Sequence, residues 1–154
     1  MDAEVDAAKR LAISLLNHKM YTGSDMSTKL IRLGYARTVI EKAMEFLIDT
    51  GYIDDAKYTE MFILECVDIK RWGEYRIRHK LLARGVDRYL VEDKLRKAEI
   101  DSDRNIRYLV TAKLRGRERV SPVEAKKIVA HLMYKGFGIE DINRVMEEMD
   151  IIET

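Results

Sequence analysis

An all-α fold made of three tandem three-helix repeats is what this sequence predicts, and three observations carry the prediction. The chain has 154 residues with one proline, Pro122, and eight glycines. That is few breakers for a composition rich in Leu, Met, Lys, Arg and Glu. Three segments align without a gap at an offset of 51 residues, Leu30 to Leu81 to Leu132. Each segment shows helical apolar spacing and then stops at a glycine, Gly34, Gly85 or Gly136.

The elements follow in order. Ala8-Leu11-Ala12-Leu15 has the period of an amphipathic helix. Thr22, with Asp25 three residues on, resembles a capping box for a second helix carrying Met26 and Leu30 on one face. Gly34 followed by Tyr35 reads as a Schellman cap, a left-handed glycine with an apolar residue folding back. Ile40-Ala43-Met44-Leu47 is the third helix, closed by Gly51-Tyr52-Ile53. Asp54 caps the helix that enters the second copy, where Tyr58-Met61-Phe62-Cys66 marks a weaker apolar face. Ile77 and Leu81 lead to the Gly85-Val86 cap, and Val91-Leu95-Ala98 follows. In the third copy Ile106-Leu109-Val110-Leu114 precedes a charged stretch, Lys113 to Arg119, expected to fray or loop. Ser121-Pro122-Val123-Glu124 is an N-cap serine, a proline at the first helical position and a glutamate placed to reach back. Ile128 and Leu132 lead to Gly136-Phe137, and Ile142-Val145-Met146-Met149 completes the array. Helices of this length are marginal alone. The expected organisation is therefore one continuous, elongated array with repeats at 1–52, 53–103 and 104–154.

Composition excludes several classes. Some 47% of residues are apolar, enough for a core, and 28 Lys+Arg against 27 Asp+Glu leave a net charge of +1. A uniformly basic binder and an acidic tail are both excluded. With one cysteine no intrachain disulfide can form, and Asp2, Glu4 and Asp6 at the start do not resemble a secretory signal, so a reducing cytoplasm is expected. No stretch approaches the ~20 apolar residues of a membrane helix. His18, His79 and His131 have no acid or cysteine at ligand spacing, and surface or cap roles suit them. Cys66 on an apolar face reads as a buried, inert thiol, and Asp54-Asp55 as capping residues at a helix start. There is no glycine-rich phosphate loop. No catalytic residues, metal or cofactor are expected.

The repeat gives the charge pattern an internal control. On the middle helices the stripe i, i+4, i+8 reads Arg76, Lys80, Arg84 in copy two and Lys127, His131, Lys135 in copy three, but Asp25, Lys29, Leu33 in copy one. Lys70, Arg71 and Arg78 extend the first cluster, and Arg104, Arg107, Lys113, Arg115, Arg117 and Arg119 form a second. Charged helix faces are usually only solvated, and Arg84 and Lys135 also suit a helix C-terminus. The functional reading is a surface for phosphates or an acidic partner, with Arg71, Arg76, Arg78, Lys80, Arg84, Arg115, Arg117, Arg119, Lys127 and Lys135 as its candidates. Trp72 fits a core or staple role as well as a stacking platform.

Four segments in order resemble the RecX family of bacterial recombination regulators. They are Ser24-Asp25-Met26-Ser27-Thr28-Lys29-Leu30 running into Leu33-Gly34-Tyr35, then Gly51-Tyr52-Ile53-Asp54-Asp55-Ala56-Lys57-Tyr58, then Gly73-Glu74-Tyr75-Arg76-Ile77-Arg78-His79-Lys80-Leu81 through Gly85-Val86, and Leu132-Met133-Tyr134-Lys135-Gly136-Phe137. The resemblance spans roughly residues 8 to 150. It departs in copy one, where the family is often basic and this chain has Asp25 and Met26. The resemblance implies tandem three-helix repeats and a monomer that binds in the groove of a RecA-type recombinase filament on DNA. It further implies inhibition of the recombinase ATPase and strand exchange, hence a part in recombination, repair and the SOS response. Single-stranded DNA within or beside the filament would be a weak partner on its own. The alternative is a direct DNA-binding protein, because three-helix units resemble helix-turn-helix domains.

Overall fold

Residues 2–154, which the computed structural model describes, form nine α-helices. They are α1 (Asp2–Leu16), α2 (Gly23–Arg32), α3 (Arg37–Asp49), α4 (Asp55–Asp68), α5 (Glu74–Ala83), α6 (Arg88–Lys97), α7 (Ser102–Leu114), α8 (Pro122–Tyr134) and α9 (Ile139–Met149). Their boundaries follow local chemistry. Thr22 Oγ1 accepts from the Asp25 amide at 3.0 Å, Asp54 from Lys57 at 3.1 Å, and Ser121 Oγ from Glu124 at 3.2 Å. Each bond satisfies one amide that a helix start leaves unpaired. The C-terminal ends of α2, α5 and α8 share one geometry. Gly34, Gly85 and Gly136 have φ of 92°, 80° and 104°. The residue after each donates back to Leu30, Leu81 or Leu132 at 3.2, 3.2 and 3.1 Å, as a Schellman cap requires.

The chain divides into two compact units. The first takes the residues up to Met61 and Leu81–Lys94. There α1 packs on α3 and α2, and α2 on α3. Ala8, Ala12 and Ala43, all fully buried, keep the helix contacts close, while Met26, Leu30, Ile40 and Leu47 fill the centre. The second takes Phe62–Lys80 and Leu95–Thr154. Here α7, α8 and α9 pack on one another around Ile106, Val110, Ile128, Leu132, Phe137, Ile142 and Val145. A single parallel bridge, Val120 to Ile152, ties the α7–α8 connection to the chain end.

Inside each unit the cap glycine of one middle helix rests on the start of the preceding middle helix. In the first, Thr22 Oγ1 donates to the Arg84 carbonyl at 2.8 Å, and a Cβ on Gly85 would lie 2.3 Å from Ser24. In the second, the Gly73 amide donates to the Lys135 carbonyl at 2.8 Å and the Tyr75 amide to the Gly136 carbonyl at 3.1 Å. A Cβ on Gly73 would lie 2.3 Å from the Gly136 backbone. The positions correspond: 22 and 73, and 84 and 135, are 51 apart.

Three details differ from the sequence reading. The buried face of α4 is Tyr58, Thr59, Ile63 and Cys66, and Met61 is half exposed. Thr59 is tolerated inside because its hydroxyl donates to the Asp55 carbonyl at 2.7 Å. Ala98 is exposed because α6 stops at Lys97 and the chain turns at Glu99, φ 47°. Finally, Glu124 does not serve a capping box, because its carboxylate is taken by Arg117.

Candidate functional site

The sequence candidates separate into side chains that hold the fold and side chains that converge on a surface. Arg84 belongs to the first group: its guanidinium donates to the Tyr58 hydroxyl within the first unit. So does Arg71, at φ 54°, whose guanidinium stacks 3.5 Å from the Tyr108 ring centre and donates to Asn105 Oδ1 at 2.8 Å. Asn105 is buried and passes the link on to the Val67 carbonyl at 3.0 Å. Arg119 pairs with Asp150 at 3.0 Å, and Arg78 lies 3.9 Å from Glu74.

Arg117 is the most heavily used of these. Its fork donates twice to Glu124, at 2.8 and 2.9 Å, while Nε reaches the Leu114 carbonyl at 2.8 Å. It thereby caps the C-terminal end of α7 and pairs with Glu124, the acid in the cleft lining. The Arg117 hydrogen bond holds the Glu124 carboxyl below its usual range and raises the Arg117 guanidinium above its own.

Trp72 anchors the second group. Its ring meets Phe62 edge-on at 6.4 Å, and Lys70 Nζ lies 4.8 Å from its centre. The Arg76 guanidinium sits between two rings, 4.3 Å from Trp72 and 4.7 Å from Tyr134. One of its nitrogens donates to the Tyr134 carbonyl at 3.2 Å, and its buried Nε has no hydrogen-bond partner. The charge is thus held by rings and a carbonyl, with no carboxylate. Lys135 donates to the Lys70 carbonyl at 2.8 Å. Burial, and then the Arg76 charge, push its ammonium below the ordinary lysine range. His131 is pushed down likewise, by burial first and then by Lys113 and Lys135.

These neighbours continue into a cleft of about 380 Å³ lined by Lys113, Arg115, Arg117, Glu124, Lys127 and Ile128. The result, wholly within the second unit, is a row of basic side chains: Lys70, Arg76, Lys135 and Lys113, with His131 among them, then Arg115 and Lys127 at the cleft. The cleft lining carries four basic side chains, Lys113, Arg115, Arg117 and Lys127, against the one acid Glu124, a balance that favours an anion. Lys80 is exposed on α5. Of the sequence candidates, Arg76, Arg115, Lys127 and Lys135 fall on this track, joined by Lys70, Lys113 and His131, which were not among them. Tyr134 was missed as well; an aromatic beside a cap lysine gives no signal before its ring is seen on Arg76. Among the described residues no group of His, Cys, Asp and Glu is placed to hold a metal, and no helix is long and apolar enough to cross a membrane.

Comparison with known proteins adds the lineage. The family described as "RecX, first three-helix domain" matches residues 8–47, and "RecX, second three-helix domain" matches residues 54–95. The chain is 31% identical to "Regulatory protein RecX" of Vibrio vulnificus (strain CMCP6), covering 92% of each. It is 29% identical to the protein of that name in Pseudomonas entomophila (strain L48), covering 96% of this chain and 94% of the relative. The crystal structure of RecX from Lactobacillus salivarius superposes with a TM-score of 0.84 at 22% identity, over 97% of this chain and 99% of that one. With the same three-helix units in order and relatives matched nearly end to end, the chain belongs to the RecX family.

Proposed function

We propose that this protein is a non-enzymatic regulator that binds a RecA-type recombinase filament on DNA and inhibits its ATPase and strand exchange. The observation that carries the reading is the cationic track of the second unit, whose one lining acid is already neutralised by Arg117. Such a surface suits a cleft that presents phosphates and acidic side chains. Kinship with regulatory proteins named RecX supports the choice of partner. The effect on the recombinase is steric and electrostatic, carried by the basic surface rather than by a reaction. The site of action is the cytoplasm, and the acting form is a monomer.

The test is recombinase ATPase on single-stranded DNA with and without this protein, beside binding to naked DNA. Inhibition at protein concentrations that leave naked DNA largely unbound is expected. Tight, sequence-specific binding to naked duplex with no effect on the ATPase would replace this reading with that of a direct DNA-binding protein.

A further inference from the structure

We infer that the outer face of Tyr134 is a stacking platform for a base of single-stranded nucleic acid whose phosphates lie on the cationic track. The inference deepens the reading above and rests on it for the presence of nucleic acid. Tyr134 remains 72% exposed although its inner face already carries the Arg76 guanidinium, so the opposite face is open. The Arg76 guanidinium lies over both the Trp72 and the Tyr134 ring. With one face of Tyr134 already against that guanidinium, a base that stacks on the other face has less side-chain freedom to order.

The surroundings select the ligand. Next to Tyr134 in the chain is Lys135, whose ammonium is followed by His131 and Lys113 and then the cleft with Arg115 and Lys127. An extended backbone tracking these cations presents its bases sideways, where an exposed ring can receive one. Double-stranded nucleic acid keeps its bases stacked on each other and cannot offer a face. Tyr75, also exposed, is a poorer platform: the cleft beside it sets three acids, Glu74, Glu140 and Asp141, against one cation, Arg78, a balance that repels phosphate.

The experiment compares the affinity of the full chain for oligothymidylate of about 15 nucleotides with that for an abasic oligomer of equal length and charge. The wild-type protein should prefer the oligomer with bases by about ten-fold. Tyr134→Leu should lose that preference while keeping the affinity for the abasic strand, and Tyr134→Phe should retain it. Circular dichroism checks that the variants fold. An oligomer carrying 5-iododeoxyuridine, irradiated on the wild-type protein, should crosslink to Tyr134. Equal affinity of the wild type for both oligomers, an unchanged preference in folded Tyr134→Leu, or crosslinks confined to other residues would overturn the inference. Recombinase ATPase is measured in parallel. Inhibition without base preference removes the platform and leaves the regulator, whereas base preference without inhibition removes the regulator and leaves the platform.

Discussion

The two units contain the same joint dressed in opposite ways. In the first, a side-chain hydroxyl, Thr22, holds the Arg84 carbonyl; in the second, a backbone amide, Gly73, holds the Lys135 carbonyl, both at 2.8 Å. The difference is steric: Gly73 has the Gly136 backbone so close that a side chain has no room, while Thr22 stands off and reaches with its oxygen. Around the joint the charges differ more. Position 25 is an aspartate where position 76 is an arginine sandwiched between aromatic rings. Arg84 is turned onto Tyr58, whereas Lys135 joins a row of cations. The joint is therefore the conserved mechanical part of the repeat geometry within this chain, and the side chains around it are where the units diverge in purpose.

The comparison can be broken at its tightest point. Gly136→Ala forces a Cβ to 2.5 Å from Arg76 at φ 104°, combining backbone strain with overpacking. Chemical denaturation should show a loss of about 3 kcal/mol or more. Thr22→Val should cost about 1 to 2 kcal/mol, since it removes both the Arg84 hydrogen bond and the cap on Asp25. Gly34→Ala should cost about 1 kcal/mol, because Gly34 shares the positive φ but meets nothing within 4 Å. An equal loss at Gly34 and Gly136 would mean that φ, not the joint, sets the cost. The smallest effect concerns pH. The His131 folded-state pKa is lowered by burial, Lys113 and Lys135, so the unfolded chain binds the proton more readily. Folded stability should fall as pH drops below about 6.5, and His131→Gln should flatten that fall in a pH series of melting curves.

Much of the fold was legible because its signals are local. Serine, threonine and aspartate at helix starts, and glycine after an apolar stripe, act within a few residues. Leu30, Leu81 and Leu132 could be matched by eye and are all fully buried. The candidate site was only partly legible, because what an arginine does depends on what is brought to it from elsewhere. Arg76 and Arg84 stand on one stripe of the same helix face, yet one lies over Trp72 and Tyr134 and the other on Tyr58. Arg117 looked like one more cation in a basic run, and nothing in that run shows its fork closing on Glu124. Thr59 is absent from the apolar face read from sequence for a related reason: its hydroxyl is satisfied by its own helix, so polarity does not mean exposure.

The central claim is that the cationic track of the second unit contacts the recombinase filament. Lys113, Arg115 and Lys127 are the residues to reverse, since all three line the cleft and are exposed, whereas reversing Arg76 would also disturb packing. The most direct measurement is inhibition of recombinase ATPase on single-stranded DNA by the folded triple variant Lys113→Glu, Arg115→Glu, Lys127→Glu. Its control is Arg10→Glu, Arg32→Glu, Lys57→Glu, which reverses as many exposed charges in the first unit. The account predicts that the first variant loses most inhibition and its salt dependence flattens, while the control inhibits as the wild type does. Equal inhibition by both variants and the wild type would contradict it.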